Sequence, residues 1–267
     1  IEGSALKGKK VVSVEDGLAI DTEGKLYVFG GEEIICINEI EGSALKGKKV
    51  VSVEDGLAID TEGKLYDIGG KEIICISEIE GSALKGKKIV SVEGDYSKYA
   101  IDTEGKIYTW GRNDYGKLGD GTEENRSTPI CISEIEGSAL KGKKVVSLEE
   151  HNDSIYAIDT EGKIYTWGAN YYGQLGDGLG YETEIYRSTP ICISEIEGSA
   201  LKGKKIVLVK INRYSVYAID TEGKIYTWGD NMRGQLGDGT KENRSTPICI
   251  SEIEGSALKG KKIVSVK

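Results

Sequence analysis

A thirteen-residue segment, YAIDTEGKIYTWG, occurs three times in this chain, at Tyr99–Gly111, Tyr156–Gly168 and Tyr217–Gly229. Two looser copies, LAIDTEGKLYVFG and LAIDTEGKLYDIG, stand at Leu18–Gly30 and Leu57–Gly69. Each reads as a β-hairpin: an apolar run, an Asp-Thr-Glu-Gly turn and a second run alternating Ile, Tyr and Trp with polar residues. Five copies of one hairpin mean repeated structural units, and the fold has to be read from the repeat rather than from any single motif.

Each repeat opens on IEGSALKGKK, beginning at Ile1, Ile40, Ile79, Ile135, Ile196 and Ile253. The boundaries are therefore 1–39, 40–78, 79–134, 135–195, 196–252 and a partial unit 253–267. Each complete unit offers four short strands, A to D, which in the third are Ile89–Val92, Tyr99–Asp102, Lys106–Trp110 and Pro129–Ser133. Runs such as VVSV and ICI are apolar on both sides, so every sheet needs cover on both faces, which radial packing of blades supplies. The expected fold is all-β: a single β-propeller over 1–267 with four-stranded antiparallel blades. A β-solenoid or an open superhelix of the same blades is the alternative. A sixth A strand is expected at Ile263–Val266 beside only five each of B, C and D, which suggests part of a larger ring or array.

The formal charge of −9 argues against a general nucleic-acid binder, because neutralising phosphate takes a dense Lys/Arg surface, and leaves room only for local basic patches. No apolar run approaches the roughly 18 residues of a membrane span. The chain starts at Ile1 inside a repeat and without Met, so its amino end is expected to be truncated and its compartment stays open. Five cysteines, Cys36, Cys75, Cys131, Cys192 and Cys249, hold one equivalent position per repeat. That spacing fits small packed side chains and no disulfides. His151 is the lone histidine, too few for histidine metal clusters, and it lies in a varied loop where catalysis has no second partner in view. Asp120, Asp177 and Asp238 sit in Gly-Asp-Gly turns whose spacing does not match a calcium loop. No catalytic residue, metal or cofactor is expected.

DTEGK is identical in five units and IEGSALKGKK in six. Divergence gathers in the A–B connection and in the stretch after the Trp position, which an up-and-down blade brings out on one face. Loops on a rigid scaffold carry recognition, and Tyr, Asn and Arg suit adaptable surfaces. Drift at exposed loop tips is the competing reading. The candidate partner-binding residues are Tyr96, Lys98, Arg112, Asp114, Tyr115, His151, Asn152, Tyr171, Tyr172, Tyr181, Tyr186, Arg213, Tyr214, Met232 and Arg233.

The long units add G-x-L-G-D-G and R-S-T-P to the hairpin, as in LGDGTEENRSTP (Leu118–Pro129) and LGDGTKENRSTP (Leu236–Pro247). The fourth keeps both parts around a four-residue insertion. This pattern resembles the regulator-of-chromosome-condensation repeat, the blade of a propeller family that usually closes with seven. The compact first two units resemble short-bladed bacterial relatives, among them a secreted β-lactamase inhibitor. The resemblance implies a platform that binds proteins through its loops. Its founding member promotes nucleotide exchange on a small GTPase and docks on nucleosomes. It also implies that Leu118, Leu175 and Leu236 pin the long loop, that Gly119, Gly176 and Gly237 form its turns, and that Trp110, Trp167 and Trp228 wedge between blades. The function expected is a non-enzymatic protein-binding scaffold for a partner of unknown identity. A self-associating filament or surface array, and an exchange-factor or inhibitor role, are the alternatives.

Overall fold

The computed structural model describes residues 5–15, 17–30, 33–179 and 185–266. Five four-stranded antiparallel sheets account for the strands, each with its strands in sequence order. The first comprises β1 (Val11–Glu15), β2 (Leu18–Asp21), β3 (Leu26–Gly30) and β4 (Glu33–Cys36). The second comprises β5 (Val50–Glu54), β6 (Leu57–Asp60), β7 (Leu65–Asp67) and β8 (Ile74–Cys75). In the third are β9 (Ile89–Glu93), β10 (Ser97–Asp102), β11 (Ile107–Gly111) and β12 (Arg126–Cys131). The fourth holds β13 (Val145–His151), β14 (Ser154–Asp159), β15 (Ile164–Ala169) and β16 (Tyr186–Cys192). The fifth holds β17 (Ile206–Asn212), β18 (Ser215–Asp220), β19 (Ile225–Gly229) and β20 (Arg244–Cys249). The chain forms two compact units, Ile1–Thr103 with Thr128–Ile130, and Glu104–Ser127 with Cys131–Lys267.

The invariant residues explain themselves as structure. Asp159 of the fourth DTEGK accepts the backbone N–H of Glu161 and of Lys163 on Oδ1, both at 2.9 Å, which folds the turn. Its Oδ2 accepts the Tyr165 hydroxyl at 2.8 Å in the buried core. The same set recurs at Asp21, Asp60 and Asp220. The turn glycine then passes its carbonyl to the next repeat: Val50 N–H donates to Gly24 O, Ile89 to Gly63, Val145 to Gly105 and Ile206 to Gly162, all at 2.8–2.9 Å. Each hairpin thus closes its own sheet and starts the following one.

Within the first unit, Ile20, Leu26 and Ile37 pack against Val50, Val53, Ala58 and Tyr66 of the second sheet. Within the second unit, Tyr156, Ile158 and Ile164 pack against Val209, Val216, Tyr226 and Trp228. Apolar faces from successive sheets therefore share a core, as blades do. The Ser of ICISE closes the other end: Ser133, Ser194 and Ser251 each accept a buried backbone N–H, from Ile107, Ile164 and Ile225, at 2.9–3.0 Å, and in the first repeat Asn38 takes that place and accepts the Leu26 N–H at 2.6 Å.

Two expectations are corrected. Strand D of the third unit runs Arg126–Cys131, not Pro129–Ser133, because Ile132–Glu134 curls into a 3-10 turn that brings Ser133 back to Ile107. The sixth A segment, Ile263–Val266, forms no strand. It keeps the Ile263 N–H bond to Gly223 O at 2.8 Å but no B partner gives it a ladder. The five cysteines are free thiols, and burial raises the pKa of each.

Candidate functional site

The varied A–B stretches of the second unit, expected to be loops, are mostly strand. Pairing continues to His151↔Ser154 in one hairpin and Asn212↔Ser215 in the other, leaving two-residue turns. Asn152 and Asp153 take φ of 47° and 62°, the left-handed pair of a type I′ hairpin turn. Extra residues here lengthen a paired hairpin rather than a free loop, with Glu149, Glu150 and His151 opposite Tyr156, Ile155 and Ser154. Gly229 makes room for the tip: a Cβ there would lie 2.1 Å from Tyr214 O, the oxygen that accepts the Asp230 N–H at 2.9 Å.

The long C–D loops are built on a buried asparagine that sequence reasoning passed over. Asn231, fully buried, accepts the Leu236 N–H on Oδ1 and donates through Nδ2 to Asp238 Oδ1 and Thr240 O. Asn113 and Asn170 do the same in their loops. The Asp of each Gly-Asp-Gly then latches onto the Arg of R-S-T-P: Asp120 to Arg126 at 2.6 Å, Asp177 to Arg187 at 2.5 Å and Asp238 to Arg244 at 2.6 Å. Leu118, Leu175 and Leu236 are fully buried, as the motif implies. Trp167 Nε1 donates to Lys117 O at 2.8 Å and Trp228 Nε1 to Gln174 O at 2.7 Å, so each tryptophan clasps the loop of the preceding repeat. Trp110 is buried.

These frames bring the second unit's varied tips together. Tyr115 and Tyr171 meet edge to face at 5.4 Å between ring centroids, and Tyr172 lies against Tyr214 at 4.6 Å. The Arg213 N–H donates to His151 Nε2 at 3.2 Å, and Asn152 Nδ2 donates to Arg213 O at 3.0 Å. Burial holds the His151 imidazole below its ordinary 6.5, against the pull of the Glu149 carboxylate. Arg112 pairs with Asp114 at 2.9 Å, and the Tyr186 hydroxyl donates to Glu123 at 2.5 Å. Met232 and Arg233 stand exposed at the fifth repeat's loop.

The remaining candidates fall elsewhere. Tyr96, 68% exposed, and Lys98, whose ammonium donates to Asp55 O at 2.6 Å, belong to the first unit. Tyr181 lies outside the described residues.

A cleft of about 640 Å³ is lined by Arg213 and Tyr214 of the fifth repeat's A–B tip, by Met232 and Arg233 of its C–D loop, and by Tyr172 of the fourth repeat, which lies against Tyr214. Asp230, Gln235 and Tyr217 also line it and were not foreseen. Tyr217 was hidden by belonging to the invariant hairpin. Gln235 had a signal, since its position reads Lys117, Gln174 and Gln235 across the long units. Lys117 spends that position on structure: its buried ammonium pairs with Asp153 at 2.6 Å and Glu150 at 3.6 Å. Away from the varied tips, the clefts beside Lys163 and Lys224 repeat one another. Their lysines pair with Glu161 and Glu195, and with Glu222 and Glu252. Among the described residues no group of three or more His, Cys, Asp or Glu converges to hold a metal ion, and no helix is long and apolar enough to cross a membrane.

Comparison with known proteins agrees with the blade pattern. Residues 104–149, 161–218 and 222–267 match the family described as "Regulator of chromosome condensation (RCC1) repeat". The human E3 ubiquitin-protein ligase HERC2 is 32% identical over 170 residues, 64% of this chain and 3% of that protein. The Ultraviolet-B receptor UVR8 of Arabidopsis thaliana is 32% identical over 154 residues, 57% of this chain and 32% of its own length. The chain thus spans a third or less of these curated relatives. Among solved structures, Prp20p from Saccharomyces cerevisiae superposes with a TM-score of 0.62 at 13% identity, over 91% of this chain and 64% of that one. Human WBSCR16 gives a TM-score of 0.59 at 17% identity, over 87% and 64%. The fold is the all-β propeller fold of these neighbours, and the chain belongs to the regulator of chromosome condensation (RCC1) repeat family.

Proposed function

We propose that this chain is a non-enzymatic protein-binding propeller whose partner docks on the varied hairpin tips and long loops of the second unit. The observation that carries this reading is a division of labour. Residues shared by all repeats are spent on turns, ladders and cores. Residues that differ between repeats meet at the tips: Tyr115 with Tyr171, Tyr172 with Tyr214, and Arg213 with His151 and Asn152. Held in place by the frame, such side chains lose little freedom on binding, and Tyr and Arg are the types that dominate interface energetics. A structural neighbour offers a precedent: Prp20p of Saccharomyces cerevisiae has binding properties toward Gsp1p and histones.

The test is a displayed random-peptide library selected against the intact chain. It is selected in parallel against a variant whose fourth and fifth A–B tips and C–D loops are replaced by those of the third repeat. Sequences enriched on the intact chain and lost on the variant, with both proteins folded by circular dichroism, are the expected result. Enrichment that survives the exchange would remove the varied tips as the site. Light scattering over a hundredfold range of concentration guards the second outcome: growth into a polymer in place of one discrete particle would move the reading to self-assembly.

A further inference from the structure

The chain holds six arginines, and four of them are neutralised. Arg112 pairs with Asp114, Arg126 with Asp120, Arg187 with Asp177 and Arg244 with Asp238. The remaining two, Arg213 and Arg233, have no ion pair among the described residues, and both line the cleft of the fifth repeat. In a chain with nine surplus negative charges, two bare guanidiniums on one cleft are a local reversal of sign. The cleft's own carboxylate does not answer them. Asp230 is committed to its loop, accepting the Met232 N–H on Oδ1 at 3.1 Å and the Gln235 side-chain amide on Oδ2 at 2.8 Å.

Both arginines are also held by their backbones. Arg213 sits at φ 56°, a conformation L-residues adopt at a cost, and is kept there by bonds on its N–H and on its C=O. The Arg233 N–H is bound to Gln235 Oε1 at 2.8 Å. Beside them the Tyr172–Tyr214 pair gives an apolar wall, and Met232, 65% exposed, faces solvent unpacked. The volume, about 640 Å³, exceeds what one small anion fills and suits several side chains of an extended segment.

Resting on the protein-binding reading above, we propose that this cleft receives an extended peptide segment of the partner. Arg213 and Arg233 take one Asp or Glu side chain, and an adjacent apolar side chain packs on Tyr172, Tyr214 and Met232. Guanidinium forks suit carboxylates because two parallel N–H donors meet two oxygens. Selectivity then comes from the charge and orientation from the tyrosine wall.

The experiment uses two fluorescein-labelled, acetylated and amidated peptide pools of eight residues, identical except for a central Asp-Leu or Asn-Leu, titrated by anisotropy against the intact chain. Capping both ends leaves the side chain as the carboxylate under test. Expected is at least tenfold tighter binding of the Asp pool, about 1.4 kcal/mol, weakening as salt rises. Arg213→Ala and Arg233→Ala should each erase most of that preference, with the Lys variants keeping part of it. Lys259→Ala, on a repeated cleft away from the varied tips, should keep all of it. Four results would overturn the proposal: equal binding of the two pools; an unchanged preference in folded Arg variants; tighter binding of an oligothymidine than of the Asp pool; or self-association that the Arg variants abolish. If the library selection still yields binders that depend on the varied tips while the Asp preference is missing, only the acidic-peptide inference falls. If nothing binds those tips, both readings fall.

Discussion

Asp238 shows how much one side chain carries in a long loop. Burial opposes its ionisation, yet the Thr240 N–H and hydroxyl, the Arg244 guanidinium and the Asn231 amide together hold its pKa at about 2, below the ordinary 3.8. A carboxyl depressed on folding stabilises the protein fully above its unfolded value and loses that contribution as pH falls through the folded one. Arg244→Ala should therefore cost about 2 kcal/mol at pH 7, discounted because the guanidinium is one-third exposed, and the deficit should shrink between pH 4 and pH 2. Urea denaturation at both ends of that range reads it; a deficit that grows in acid would contradict the latch. At His151 the sign is the same. The neutral ring accepts the Arg213 N–H, its pKa is lowered by burial, and Glu149, itself paired with Lys210 at 2.7 Å, is the charge that opposes. Protonation, which lies below 6.5, turns that acceptor into a donor, so the Arg213 amide should lose protection relative to its intrinsic exchange rate as pH falls through the lowered pKa. An amide whose protection is flat from pH 7 to pH 5, while the ring titrates, would show that the bond does not hold the tip.

Among the elements, the C–D loop is where identical sequence meets different surroundings. Gly176 has φ 72° and a Cβ there would lie 2.8 Å from Trp228 Nε1; Gly119 is placed alike against Trp167 at 2.9 Å. Gly237 has the same φ, but its nearest neighbour is Ile250 Cδ1 at 3.7 Å. Alanine at Gly237 should thus cost only the left-handed backbone term, about 1 kcal/mol, and at Gly119 or Gly176 about 3 kcal/mol, since the indole must also move. Thermal melts of the three variants order them, and equal losses would mean the indole clasp is slack. The hairpins and the blade count were legible because alternation and a turn glycine are local signals. The start of strand D was not, because Arg-Ser-Thr-Pro reads as loop until Arg126 is seen latched to Asp120. Nor was the length of the A–B hairpins, since a polar tip such as His-Asn-Asp-Ser looks alike whether paired or free. The cleft was half legible: Tyr172, Arg213, Tyr214, Met232 and Arg233 stood out by differing between repeats. Which arginines lack a carboxylate is a fact of three dimensions that no spacing reveals.

Across the whole molecule, burial is uneven. Val145 and Leu148 of β13 are 2% and 9% exposed, while the equivalent Val11 and Val14 of β1 are 37% and 67% exposed. Ladder amides of β1 should exchange with deuterium at least tenfold faster than those of β13, because local opening there exposes little additional apolar surface. Equal protection would argue for cover on β1 that the chain supplies by other means. The latch between Asp and Arg has a consequence on this scale. It joins residues six apart in LGDGTEENRSTP and ten apart around the insertion of the fourth repeat, at nearly the same length, 2.6 Å and 2.5 Å. Whatever lies between is bracketed by a fixed clamp, so loop content can be rewritten without renegotiating the blade. Each long repeat is in that sense a fixed bracket around an exchangeable surface, whose residues can be substituted a few at a time while the clamp stays in place.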